Sequence, residues 1–200
     1  GEPKFASTDG KLNVTSGTTF TLAATDNLSG VAKTEYRIDG GAWTVYAPFI
    51  IAGEGQHTID YHSKDNVANT ETFKTLAVIV DNTPPVTTIT TGDPKYTAAD
   101  GKFYVTSGTT FTLAATDNAS GVALTEYRID NGQWAAYAPF AVAAEGTYTI
   151  DYRSQDNVAN LEAFKSLTII VDNTPPVTTI TTGTPLYASA DGKLYVTSAA

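Results

Sequence analysis

Three Asp-Asn pairs are the residues in this chain best suited to chemistry: Asp81-Asn82, Asp117-Asn118 and Asp156-Asn157. Each puts a carboxylate beside an amide in a stretch of turn-forming residues. Hard oxygen donors of this kind suit Ca²⁺, which takes six to eight oxygens at about 2.3–2.6 Å. The competing reading is that these residues only form Asx turns and caps, as Asp and Asn do in loops generally. Asp26, Asp65 and Asp172 occupy equivalent positions elsewhere in the chain. A second chemistry could belong to Trp43 and Trp134, which would either stack on a sugar ring or cover the open edge of their own fold.

What positions these residues is a repeat. Gly17 through Asn27 recurs as Gly108 through Asn118, and Asp81-Asn-Thr-Pro-Pro-Val-Thr-Thr recurs from Asp172, an offset of 91 residues in both cases. Laid on one another, the two periods agree at about 65 positions, which marks duplicated units rather than diverged domains. A third copy starts in the run Asp191 to Ser198, matching Asp100 to Ser107. The Pro-Pro pairs at 84–85 and 175–176 fix φ, remove donors and stiffen the chain, so they are the natural boundaries. The expected units are 1–83, which lacks its first strand, the complete 84–174, and 175–200, the start of the next.

Within the complete copy, period-two alternation predicts strands. Val86 to Thr91 is the first, Lys102 to Thr106 a short edge, and Thr109 to Thr116 a main strand burying Phe111, Leu113 and Ala115. Thr125, Tyr127 and Ile129 alternate with charged residues before an Asn131-Gly132 turn, and the partner strand carries Trp134 and Tyr137. Tyr148, Ile150 and Tyr152 alternate with Thr149, Asp151 and Arg153 on the opposite face, and the nearly continuously apolar Phe164 to Val171 completes the set. About seven strands with regular turn signals and no amphipathic helix predict an all-β, Greek-key sandwich. If main strands alternate direction, the loops carrying Asp117 and Asp156 lie at the pole where the chain enters, beside Asp81. Asp26 and Asp65 would meet a linker preceding Gly1, and Asp172 would await the third copy.

Composition excludes several functions. A net charge of −9 opposes binding to phosphate backbones and anionic membranes. Cys 0 rules out disulfides and thiolate metal sites, and together with Met 0 it suits an oxidising exterior. No stretch is apolar enough to span a membrane. His57 and His62 become Tyr148 and Arg153 in the second copy, so neither is expected to be catalytic. No nucleophile elbow, phosphate loop or zinc motif is present, and no enzyme is expected.

The runs Ala-Thr-Asp-Asn-x-Ser-Gly-Val, Tyr36 to Trp43, Tyr46-x-Pro48-Phe49, His57 to Ser63 and Asp65-Asn-Val-Ala-Asn69 together resemble a bacterial immunoglobulin-like (Big-type) repeat family. The resemblance covers both copies and implies tandem immunoglobulin-like β-sandwiches of secreted or cell-surface proteins. The family pattern has Ala-Gly-Asn where this chain has Val67-Ala68-Asn69 and Val158-Ala159-Asn160, a loss that matters if the turn needs φ > 0. The expected role is a stiff extracellular spacer or filament block of a fibre, stalk or adhesin. Its partners would be neighbouring repeats, with lateral or head-to-tail self-association between chains. The alternative is a polysaccharide- or surface-binding module of a secreted enzyme or adhesin. The tail could donate its strand to the incomplete first unit of another molecule, but residues 183–200 repeat the register of 1–18 and would compete there, so a window cut from a longer array is the simpler reading.

Overall fold

The computed structural model describes residues 2–7, 10–182 and 186–196; the parts of the third-copy start at 183–185 and 197–200 lie outside the described residues. The first copy forms β1 (Lys4–Ala6), β2 (Leu12–Val14), β3 (Val31–Ile38), β4 (Thr44–Val45), β5 (Gly55–Asp65) and β6 (Lys74–Val80). These lie in one sheet, in the order β1-β2-β6-β5-β3-β4. The second copy forms β7 (Val86–Thr91), β8 (Lys95–Thr97), β9 (Phe103–Val105), β10 (Phe111–Thr116), β11 (Val122–Ile129), β12 (Ala135–Ala136), β13 (Gly146–Asp156) and β14 (Lys165–Val171). Six of them repeat the first sheet, in the order β12-β11-β13-β14-β9-β8, while β7 and β10 pair as a second layer. A hairpin of β15 (Leu186–Ala188) and β16 (Leu194–Val196) follows. All described elements are strands, as the alternation predicts.

The second copy is a sandwich because both layers bury one face. Phe111 from β10 packs with Val105, Val142, Ile150, Ile169 and Val171, and Ile89 of β7 closes the cluster from the other layer. Stacked rings extend it, with Tyr127 on Phe140 at 3.8 Å and Phe111 on Phe140 at 5.5 Å between centroids. Three local expectations are corrected. Lys95–Thr97 is an additional strand, because its side chains line an exposed edge and give no burial alternation. The β11 hairpin turns at Asp130-Asn131, both with positive φ, one residue before the expected Asn131-Gly132. The turn is fixed by the Gly132 N–H donating to Ile129 O at 2.9 Å. Asp151, expected on the open face, is buried beneath Arg128 and Ser166, at 2.8 and 2.5 Å.

The two copies carry one sequence in two environments. Thr-Leu-Ala-Ala-Thr is the body of β10 at 112–116, yet at 21–25 the same residues form no strand. The difference is the partner: β7 pairs with β10 from Val86↔Thr116 to Thr91↔Phe111, whereas residues 21–25 pair with no strand among the described residues. A strand without a hydrogen-bonding neighbour has no ladder to hold its backbone. Side chains far along the sequence differ as well: Val158 is 1% exposed and its counterpart Val67 68%. Amide hydrogen exchange should therefore separate the copies: amides bonded in the β7–β10 ladder are expected to exchange at least about a hundredfold more slowly than the matching amides of 21–25.

Candidate metal centre

Asp81 is the pin between the copies. Its N–H donates to Val14 O of the first sheet at 2.8 Å, while its Oδ2 accepts from the Ser120 N–H of the second copy at 2.9 Å. Asn82 secures the same end of the first sheet, its Oδ1 accepting from the Ser16 N–H at 2.8 Å. Thr83 adds a bond from its hydroxyl to Glu54 at 2.5 Å. Pro84-Pro85 then directs the chain into β7. Asp172, Asn173 and Thr174 repeat all three anchors at the end of the second copy, on Val105, Ser107 and Glu145.

Around Asp81 the two predicted loops converge. One carboxylate oxygen each from Asp81, Asp117 and Asp156 lies within 4.8 Å of the others, and Asp81 and Asp156 are buried. The loops are built for this. Asp117 Oδ2 accepts the Ala119 and Gly121 N–H groups at 3.0 and 2.8 Å, closing the turn after β10. Asp156 Oδ1 accepts the Val158 and Asn160 N–H groups at 3.0 and 2.7 Å, closing the turn after β13. These bonds leave the Asp117 Oδ1 atom enclosed, without a hydrogen-bond partner. Ser120 Oγ is enclosed and without a partner as well. A carboxylate oxygen removed from water with nothing donating to it is costly. Oxygens at this separation match the span across a calcium ion with bonds of about 2.3–2.6 Å.

The asparagines do other work. Asn157 Nδ2 donates to Ser120 O and Gly121 O, both at 2.9 Å, tying one loop to the other. Asn82 turns to the first copy, and the exposed Asn118 lines a groove with Glu54 and Gln56. Asn160, not singled out by sequence reasoning, bridges the site: its Nδ2 donates to Asp81 O at 2.9 Å and to Asp156 Oδ2 at 2.7 Å. Its signal was available in the Asp-Asn-Val-Ala-Asn run, whose spacing closes an Asx turn on itself. In the first copy Asp26 and Asp65 bind their own loops in the same way. Desolvation raises the Asp65 carboxyl, but the Asn69 amide and backbone donors outweigh it and hold it below its ordinary range.

Ala159 occupies the turn position where the family pattern has glycine, and it adopts φ 72° there; Ala68 does the same at 76°. The Asp156 cap holds an L-residue in a region that disfavours it. Ala159→Gly is expected to stabilise the second copy by about 0.5–1 kcal/mol, read as a raised urea midpoint with unchanged slope.

The tryptophans are packed within their own sheet. Arg153 and Arg128 lie over the Trp134 ring at 4.0 and 4.7 Å, and Phe164 meets it edge-on. Trp43 has Arg37 at 4.7 Å, with the His62 ring at 4.2 Å. His57 bonds Asp39 Oδ2 through Nδ1 at 2.7 Å and Gly53 O through Nε2 at 2.9 Å. The Asp39 bond leads in raising its pKa.

Residues 42–135, slightly more than one period, match the family described as bacterial Ig-like domain (group 3). That stretch is similar to a bacterial Ig-like domain. It begins in the first sheet and ends in the second, so it contains the whole linker and two of the three clustered carboxylates. Bacterial Ig-like domains are typically extracellular or surface modules of structural or binding type. No curated protein matches the chain. Among solved structures, the Clostridium thermocellum CbhA fibronectin(III)-like modules are similar with a TM-score of 0.37 and 15% identity, over 80% of this chain and 88% of that chain. Among the described residues no helix is long and apolar enough to cross a membrane.

Proposed function

We propose that this Ig-like chain is a non-catalytic extracellular spacer, built from units bounded at 84 and 174, whose joints are stiffened by calcium. The observation that carries the reading is the trio of buried Asp81 and Asp156 with half-buried Asp117, assembled from a linker and two loops around an oxygen with no donor. Three carboxylates so close repel one another unless a cation sits between them. Held by all three, a divalent ion would tie the linker carboxylate to both loops of the next copy, while the Asp81 N–H remains fixed to the preceding sheet. The joint then loses its freedom to bend. Each unit would contact mainly its neighbours, so reach grows with copy number.

The absence of cysteine makes the test clean. Spin labels at Val45→Cys and Thr168→Cys, exposed sites on the two sheets, report the distance distribution between copies. Calcium is expected to narrow that distribution in the parent and to leave it broad with Asp117→Asn. An unchanged distribution in the parent at millimolar calcium would remove the cation from the account.

A further inference from the structure

His57 stands near the start of β5, and both of its ring nitrogens meet acceptors. Nδ1 lies 2.7 Å from Asp39 Oδ2 and Nε2 lies 2.9 Å from Gly53 O. Asp39 is ionised, its carboxyl held below the ordinary range first by the His57 bond and then by the Thr58 N–H, which Oδ1 accepts at 2.8 Å. Neither a carboxylate nor a carbonyl oxygen has a proton to give. The ring therefore satisfies both contacts only as an imidazolium, with a proton on each nitrogen. The charged groups around it are Asp39 from the turn after β3, Lys11 from the loop before β2 and Glu54 from the loop before β5. From β6, packed alongside, a cavity of about 140 Å³ at the ring is lined by Ala77, Val78 and Ile79, which do not titrate.

The loop that the ring holds leads to the joint. Glu54, next to Gly53, accepts the Thr83 hydroxyl at 2.5 Å, and the Thr83 N–H donates to Asp81 Oδ1 at 3.2 Å. Ring, loop and linker are one run of bonds. The second copy keeps the Asp130–Thr149 and Glu145–Thr174 bonds but has Tyr148 for His57 and Ala144 for Gly53. The two positions differ together, and a Cβ at Gly53 would meet His57 Cε1 and Nε2 at 3.4 Å, so the close approach of this carbonyl to the ring suits glycine. We infer that His57 is a proton-operated latch on the joint: as an imidazolium it clips the Gly53–Glu54 loop, and through it the linker, to the Asp39 turn, and on losing a proton it lets that loop go. A neutral imidazole has one N–H. The charged carboxylate is the stronger acceptor, so the remaining proton stays on Nδ1 and Gly53 O is the partner lost. The Asp39 bond, with help from Gly53 O, outweighs desolvation and raises the His57 pKa. A raised folded-state value means a contribution fully present below the unfolded value of about 6.5 and lost as pH rises through the raised one. The latch is closed in mild acid and opens toward alkaline pH. It acts on Thr83 and does not rest on the calcium reading.

The test is carbon NMR of the whole 200-residue chain in chelator, from about pH 5 to 9, the span in which histidine titrates. The two rings are told apart with His62→Arg, the residue the second copy has there. The His57 ring is expected to titrate with a midpoint above about 6.5, and the Glu54 carboxyl carbon and Thr83 Cβ to follow the same midpoint. Glu145 and Thr174, in the copy that carries Tyr148, are expected to stay level and give the reference within the same molecule. Asp39→Asn should lower the midpoint by about one pH unit or more. His57→Tyr, which installs the second copy's own residue, should level Glu54 and Thr83. Level Glu54 and Thr83 signals across the His57 midpoint in the parent would overturn the inference. So would a midpoint at or below about 6.5, or a Thr83 response that survives His57→Tyr.

Discussion

Glu162→Ala is expected to destabilise the second copy by about 3 kcal/mol, the scale for stranding buried donors and an ion-pair partner. Glu71→Ala, the same substitution in the first copy, should cost less than about 1 kcal/mol. The residues and their sequence neighbours are nearly the same; what differs is the strand between them. Glu162 receives the Thr87 N–H, the Thr87 hydroxyl and the Ser154 N–H in a buried site, with Lys165 beside it at 2.7 Å. Removing the carboxylate leaves the Thr87 and Ser154 amides without their acceptor and the Lys165 ammonium without its counter-charge, holding only the Thr87 carbonyl. Glu71 is exposed, and water replaces its bonds. Each copy has one tryptophan, so urea denaturation followed by fluorescence in Trp43→Phe and Trp134→Phe backgrounds assigns each loss to its copy.

The same network sets a pH dependence. Burial pushes the Glu162 carboxyl up, but the Lys165 ammonium and the Thr87 donors outweigh it and hold it below the usual carboxylate range. A folded-state value below the unfolded one means stabilisation that is fully present above the unfolded value and disappears as pH falls through the lowered one. Acid should therefore release β7 before the rest of the second copy, and Glu162→Gln should flatten that part of the profile.

The second large effect concerns the carboxylate trio, and its sign depends on the ion. Without a divalent cation, Asp117→Asn removes one of three mutually repelling charges and is expected to leave the second copy as stable as the parent or more so. With calcium at about a hundred times its dissociation constant, the parent gains about 2.7 kcal/mol, and the substituted chain gains little. A purely structural role for Asp117, capping Ala119 and Gly121, predicts a loss that calcium does not change.

Much of the architecture was legible before any coordinates. The repeat fixed the copies, and alternation at Phe111, Leu113 and Ala115 located the buried face of β10. Strand parity alone placed Asp81 beside the loops of Asp117 and Asp156, because loop position at a pole depends on strand direction and not on side-chain detail. The finer parts depended on register between strands distant in sequence. Nothing near Thr87 announces Glu162, and nothing near Trp134 announces that Arg128 and Arg153 cover it. Asp151 read as solvent-facing because alternation reports which face a residue shares, not whether an arginine covers that face. Ala159 departs from local rules at the joint itself, where the Asp156 cap overrides backbone preference.

The most direct measurement of the central claim is thermal unfolding of the parent and Asp117→Asn chains across a calcium titration, monitored at Trp134. The account predicts that calcium raises the Tm of the parent and barely moves that of Asp117→Asn, and that the two are comparable in chelator. A parent Tm indifferent to millimolar calcium, with Asp117→Asn already destabilised in chelator, would contradict it and leave the three carboxylates as turn caps.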